Sequence, residues 1–370
     1  MKKRILVAPL NWGLGHATRC IPIIRELQRQ GAEVLLASDG RALQLLREEF
    51  PDLLHFELPA YNMRYPFSSM ILSIGWQLPK IVRAIWLENK AIDMLIEKQK
   101  IDVIISDNRF GCFLKKVKTV FLTHQLTIKM PFKLLETPVR WGNFYWIRKF
   151  DECWIPDFEG ENSLSGELSE IGKSGLRFTK ILKFSKLDSK QKLKFIGILS
   201  RMKSGILEKK YLAIFILSGP EPQRTFFESA ILIQLQNLEG DFLIVQGKTE
   251  SKERIFLKEN IEVVSFMTSE ELNEAILKSE IVVSRSGYST LMDLANLQQK
   301  AILIPTPGQT EQEYLAKRFF KSGVFYYQKQ EDLDLKVALE NSEKFTGFQN
   351  RIPDENLLKK AIAQLLQEET

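Results

Sequence analysis

Cysteine is scarce in this 370-residue chain, and its scarcity excludes two classes of protein at once. Cys20, Cys112 and Cys153 stand far apart, so they offer neither a disulfide framework nor a paired-cysteine metal knuckle. Long apolar runs are also missing. The longest stretch without a charged residue covers residues 65–79 and is broken by prolines, short of the ~20 residues that a membrane span requires. The opening MKKRILVAPL loses its apolar character at Asn11, with no small-residue cleavage site after it. It reads as a first strand and not as a signal peptide. No DxD-like motif stands at a suitable turn, so no metal is expected. What is present is ordinary for a globular protein: 44% hydrophobic and 26% charged residues, which excludes a disordered or fibrous chain. At ~150 residues per domain the length suggests two domains, each large enough to bury a core without covalent staples. A soluble protein of a reducing, cytoplasmic compartment is expected.

Acidic residues are unevenly missing. Residues 1–150 hold 23 Lys and Arg against 13 Asp and Glu, a balance of +10, while the remaining 220 hold 29 against 33, a balance of −4. Between Glu57 and Glu88 no acid occurs for thirty residues, a run that includes Tyr61, Tyr65, Phe67, Trp76 and Trp86 with Arg64, Lys80 and Arg83. Aromatic and apolar residues interleaved with cations suit a surface lying on anionic lipid, and they equally suit a core helix over residues 72–95 preceded by a loop. No Arg-rich or aromatic nucleic-acid patch accompanies the basic balance, so nucleic acid is not expected as a partner.

Two passages share one grammar, an apolar β-branched strand, a Gly-bearing turn and a helix. In the first, residues 4–10 read as strand, 11–16 as turn, 18–30 as helix and 33–37 as the next strand. Residues 102–106 and 119–122 follow as short strands apolar on both faces. In the second, strands are expected at 211–217, 242–245, 261–264, 281–283 and 301–304. Helices are expected at 222–236, 269–278, 288–296, 310–321 and 355–367. Alternation at this pitch predicts two doubly wound parallel sheets. Between them, residues 157–175 carry five acids and four glycines, the composition of a linker or hinge. Ligands of such sheets sit outside the carboxyl ends of the strands, here in a cleft between the domains.

Three turns concentrate the chemistry. Asn11–Arg19 places Gly13-Leu14-Gly15-His16 where the first strand feeds a helix, and glycines there admit a ligand close to the backbone. A dinucleotide fingerprint would look similar, but Thr18 stands where its third small residue belongs. Ser284-Arg285-Ser286-Gly287-Tyr288-Ser289-Thr290 closes a strand and opens a helix whose first N–H groups suit a phosphate. Asp293 lies about two turns along, where a carboxylate can accept from both hydroxyls of a ribose. Residues 305–314 form the third turn, in which Gln312 and Glu313 suit sugar hydroxyls.

These residues resemble family 28 glycosyltransferases, enzymes of the GT-B fold that include the peptidoglycan N-acetylglucosaminyltransferases. Arg285-Ser286-Gly287, five further residues and Asp293 keep that family's R-S-G-to-acid spacing. Pro305, Gln312, Glu313 and Tyr314 resemble its P…QQY run, with Glu313 in place of the second Gln, and Gln309 of the same turn is placed with them on the donor side. Phe266-Met267 is similar to the pair that meets uracil, and Gly197-Ile198-Leu199-Ser200-Arg201 to a segment whose Arg faces the diphosphate. The family's phosphate loop is altered here to Ser218-Gly219-Pro220-Glu221-Pro222-Gln223-Arg224, which shifts the implied diphosphate contacts to Ser218, Gly219 and Arg224. Gly13-Leu14-Gly15-His16 resembles its Gly-Gly-His loop, and Thr123-His124-Gln125 a segment lining the acceptor side.

The resemblance implies two Rossmann-like domains facing each other across a cleft. Residues 1–165 bind the acceptor, 166–350 bind the nucleotide sugar, and 351–370 form a helix packing back on the first domain. It implies an inverting hexosyl transfer from a UDP-sugar, a co-substrate and not a cofactor. The acceptor is lipid-linked or an envelope glycan, and the protein is peripheral on the inner face of the membrane. His16 is the leading base, with Asp107 and His124 as runners-up, and Gln125 lies on the acceptor side. A nucleotide-sugar 2-epimerase on the same scaffold and a non-catalytic nucleotide or anion binder stay open as alternatives.

Overall fold

In the computed structural model, residues 2–63, 75–170, 193–249, 253–349 and 356–368 are described. The chain divides into two compact units, Met1–Leu199 with Asp354–Thr370, and Ser200–Pro353.

The first unit is built on a seven-stranded sheet: β1 (Arg4–Pro9), β2 (Glu33–Ser38), β3 (Leu54–Glu57), β4 (Val103–Asp107), β5 (Lys118–Leu122), β6 (Glu152–Ile155) and β7 (Leu193–Phe195). Its order is β3-β2-β1-β4-β5-β6-β7 and every pairing is parallel. The helices are α1 (Leu14–Arg29), α2 (Gly40–Glu49), α3 (Leu78–Gln99) and α4 (Lys133–Ile147), joined by the C-terminal α10 (Asn356–Gln367). Central strands buried on both faces read as unbroken apolar runs, and Ile5, Leu6, Val7, Val103, Ile104 and Ile105 are wholly buried. Helix α1 turns Cys20, Ile21, Ile24 and Leu27 inward. The α10 residues Ala361, Ile362 and Leu365 are buried, and Gln30 Nε2 donates to the Lys359 carbonyl at 3.0 Å.

The second unit repeats the plan with β8 (Tyr211–Ile216), β9 (Phe242–Val245), β10 (Arg254–Lys258), β11 (Ile261–Val264), β12 (Ser279–Ser284), β13 (Ala301–Leu303) and β14 (Tyr326–Tyr327). Their order is β10-β11-β9-β8-β12-β13-β14. Only the edge strand β10 runs antiparallel. Helices α5 (Gln223–Leu235), α6 (Ser269–Leu277), α7 (Tyr288–Leu297), α8 (Thr310–Lys321) and α9 (Leu335–Ser342) connect or cover these strands. The core packs Phe215, Phe227, Phe242 and Ile231 against Val283 and Ile302.

Several expectations are corrected. Helix α1 begins at Leu14, so His16 lies in its first turn and not in the preceding loop. Gly13, at φ +93°, makes the sharp entry that allows this. The acidic, glycine-rich segment is no exposed hinge over residues 157–170. Asp157 is buried and accepts hydrogen bonds from the Phe158, Leu164 and Ser165 amides and the Ser163 hydroxyl. A carboxylate so engaged folds a polar loop inward instead of leaving it to water. Residues 171–175 of that segment lie outside the described residues. The first sheet continues past residue 165 to Phe195. Helix α3 runs from Leu78 to Gln99, whereas residues 64–74, with Arg64, Tyr65 and Phe67, lie outside the described residues. No described helix is long and apolar enough to cross a membrane.

Candidate functional site

In the first unit, the carboxyl end of β4 meets the first turns of α1. Asp107, the last residue of β4, is wholly buried and takes both oxygens to Arg19: Nε donates to Oδ2 at 2.6 Å and Nη2 to Oδ1. Arg19 sits one turn after His16 on α1 and is itself 2% exposed. His16 Nδ1 lies 3.0 Å from Asp107 Oδ1 and 3.0 Å from Arg19 Nη2. Arg19 Nη1 lies 2.9 Å from His124 Nδ1. A guanidinium only donates, so His124 Nδ1 accepts and its ring proton sits on Nε2. Burial alone would raise the Asp107 carboxyl, but the charge of Arg19, followed by the interaction with His16, brings it down to about 2.

A second buried ionic group supports this corner. Arg109 is wholly buried, pairs with Glu88 and with Asp39 at 2.8 Å, and donates to the Pro59 carbonyl at 2.9 Å. Glu88 also accepts from the Tyr61 hydroxyl and the Gly111 amide. Burial disfavours the charged guanidinium, yet Glu88 and the other negative groups outweigh it and raise the Arg109 pKa.

In the second unit, the loops after β8, β11, β12 and β13 carry the expected donor residues. Asp293, in the second turn of α7, accepts from Ser200 Oγ at 2.6 Å. Burial pushes its carboxyl up to about 6 against the opposing pull of Arg201. Arg201 Nη1 donates to Ser269 Oγ at 3.0 Å, and Ser269 opens α6 just after the half-buried Phe266 and the buried Met267. Gln312 Oε1 accepts from the Thr306 amide at 2.8 Å, and the Ser286 hydroxyl donates to the Gln312 carbonyl at 2.8 Å. Glu313 Oε1 accepts from the Gly308 amide at 3.2 Å. Gln309 is the N-cap of α8. Ser218 and Gly219 stand exposed after β8, with Gly219 at φ +106°. Gly287 caps α7 at its N-terminus; Tyr288 is buried, and Ser289 and Thr290 are half-buried in the first turn.

The structure thus gathers His16, Asp107 and His124 around one guanidinium, and groups Arg201 with Asp293. Gly13, Leu14 and Gly15 flank that first cluster, and Gln125 follows His124 with its carbonyl accepting from Asn143. Arg224 is instead held by Glu221 and Glu228, and Arg285 is wholly buried. Among the described residues no group of three or more His, Cys, Asp or Glu is placed to hold a metal ion. Sequence reasoning did not single out Arg19, Ser200 or Ser269. Arg19 could have been found, because three residues after His16 is the same helical face.

The fold is that of the GT-B glycosyltransferases, two parallel-sheet α/β domains of seven strands each. Residues 213–365 match the profile of the glycosyltransferase family 28 C-terminal domain. A curated protein of Methanosarcina acetivorans, named an uncharacterized glycosyltransferase, is 21% identical over 336 residues, covering 84% of this chain and 81% of its own. Among solved structures, the spinosyn rhamnosyltransferase SpnG is similar at TM-score 0.61 and 14% identity, with 98% of this chain and 96% of that one covered. MurG of Acinetobacter baumannii is similar at TM-score 0.55 and 12% identity over 99% of both chains. A protein described as a UDP-N-acetylglucosamine 2-epimerase of Listeria monocytogenes is similar at 0.60 and 10%, covering 98% and 95%.

Proposed function

We propose that this protein is an inverting glycosyltransferase that moves a hexose or N-acetylhexosamine from a nucleotide sugar, UDP-linked, to an acceptor hydroxyl of a lipid-linked or cell-envelope glycan. The observation that carries the donor side is Asp293, a half-buried carboxylate beside Arg201 that lies within the region matching the family 28 domain. It suits the paired hydroxyls of a ribose. Arg201 and the N-terminus of α7 would balance charge growing on the departing diphosphate. On the acceptor side, His16 takes the hydroxyl proton at Nε2. The acceptor oxygen then bonds the anomeric carbon as the bond to the diphosphate breaks, its electron pair leaving with the diphosphate.

A thermal-shift panel of UDP-, dTDP- and GDP-sugars tests the donor. At least one is expected to raise Tm; none doing so would sink the proposal. Ribose hydroxyls donate to the ionised carboxylate, so donor affinity is expected to be full above pH 7. It should weaken as pH falls through about 6, where Asp293 takes up a proton. Asp293→Asn is expected to lose about ten- to a hundredfold in affinity and to flatten that pH dependence. It should also raise the Tm of the second unit by a few degrees, because a neutral amide escapes the burial penalty that the charged form bears at neutral pH. Unchanged affinity would remove Asp293 from the donor site. Epimerised sugar nucleotide formed without any acceptor would favour the 2-epimerase.

The lipid partner rests on exposed side chains of two helices. Trp76 just before α3, Leu78, Val82 and Trp86 in its first half, and Leu134, Trp141 and Tyr145 of α4 are all exposed, with Lys80, Arg83, Lys133 and Arg140 on the same segments. Apolar groups ringed by cations suit an anionic bilayer. All six tryptophans lie in the first unit. Vesicles of anionic phospholipid are therefore expected to shift the emission to the blue and to carry the protein down on sedimentation. Neutral vesicles should do neither, and equal behaviour with both would remove the membrane from the proposal.

A further inference from the structure

Arg285 is the one large cation of the second unit that is wholly buried among the described residues and has no carboxylate within ion-pair distance. All its partners are neutral. Nη1 donates to the carbonyls of Ile304 at 3.1 Å and Pro305 at 3.3 Å, while Nη2 donates to the Gln223 carbonyl at 3.0 Å and to Gln330 Oε1. The guanidinium rests 4.2 Å above the Phe227 ring, and its Nε has no acceptor. Burial brings its pKa down only to about 9, so the charge persists at neutral pH. At the same strand ends, the hydroxyls of Ser284 and Thr306 are also buried with no partner. Thr306 Oγ1 looks toward Gly219, where a Cβ would lie 3.5 Å away. An unbalanced buried cation is costly, and an anion held by the loops above it would offset that cost.

We propose that Arg285 is a positioning residue. It does not touch the donor, but its unbalanced charge and its ties to the loops after β8, β12 and β13 prepare those loops for an anionic diphosphate. This rests on the donor proposal above and extends it to a residue acting from beneath. Its signature is a selective effect on charged ligands. Isothermal titration of the whole protein with inorganic pyrophosphate, UDP and uridine separates the outcomes. In Arg285→Met, whose apolar chain fills the same space, pyrophosphate and UDP are expected to bind at least about tenfold more weakly while uridine changes little. Arg285→Lys keeps the charge but not the fork that ties the three loops, so its loss of pyrophosphate affinity should be smaller than that of Arg285→Met. Pyrophosphate binding as tight to Arg285→Met as to the original chain overturns the proposal, as does an equal loss in the Lys variant. Should Arg285→Met not fold, Arg285→Gln takes its place in the same comparison. Failure of every sugar nucleotide to bind the unaltered chain, with pyrophosphate still responding to Arg285, would sink the donor proposal alone.

Discussion

His16→Ala is expected to lower kcat of sugar transfer by about 10²–10⁴-fold, the usual worth of a placed general base, with the sugar nucleotide's affinity unchanged. The expectation follows from tautomer choice. His16 Nδ1 stands 3.0 Å from an oxygen that only accepts and 3.0 Å from a guanidinium nitrogen that only donates. If Nδ1 carries the proton, it donates to Asp107 and leaves Nε2 bare to take a proton from the acceptor. If Nδ1 accepts from Arg19, Nε2 is protonated and the base is lost. Asp107 is held ionised by Arg19, and a carboxylate that can only accept favours the state in which Nδ1 carries the proton and donates a charge-assisted bond to it. The neighbouring His124 is fixed the other way, because Arg19 occupies its Nδ1, so it offers a donor where His16 offers an acceptor. His124→Ala is accordingly expected to raise KM for the acceptor more than it lowers kcat. Single-turnover rates with saturating donor decide the matter. If His16→Ala turned over as fast as the original chain, the base would lie elsewhere and the acceptor site of the first unit would have to be reassigned.

The sequence was legible where the physics is local. Buried parallel strands such as β1, β4 and β12 announce themselves as short runs of Ile and Val, and the turn into α7 keeps its spacing whatever surrounds it. Segments whose identity depends on neighbours were not legible. The peripheral β3 has mixed burial, half exposed and half covered, so no apolar run marks it. Helix α4 carries Pro138 inside it and exposes Leu134, Trp141 and Tyr145, which blurs its period. The acidic stretch from Asp157 reads as solvent-facing by composition, yet one buried carboxylate turns it inward. The site residues divide in the same way. His16 and Asp293 stood out through spacing within one segment. Glu88 and Arg109 owe their roles to partners that only the fold brings near, here each other across 21 positions.

The first unit is expected to lose about 3–5 kcal/mol of stability in Asp107→Asn, because the change strands the buried Arg19 without its counter-charge. Arg19→Met should cost about as much, by leaving Asp107 buried and unpaired. Arg19→Met with Asp107→Leu together should recover most of the loss, since two apolar side chains replace an ion pair whose desolvation offsets much of its attraction. Acid makes the same statement from the other direction. The folded Asp107 titrates at about 2, below the ~3.9 of an unfolded aspartate. Its ionised form therefore stabilises the fold above pH 4, and that contribution, about 2–3 kcal/mol, disappears as pH falls from 4 toward 2. Urea titrations followed by tryptophan emission report the first unit alone, because every tryptophan lies in it and Trp154 is wholly buried. The unaltered chain should show a falling midpoint between pH 4 and 2, and Asp107→Asn a lower midpoint with a shallower acid slope. Additive losses in the Arg19 and Asp107 double variant, in place of recovery, would show that the pair does not act as one unit. His16 would then have no charged partner fixed in place to choose its tautomer.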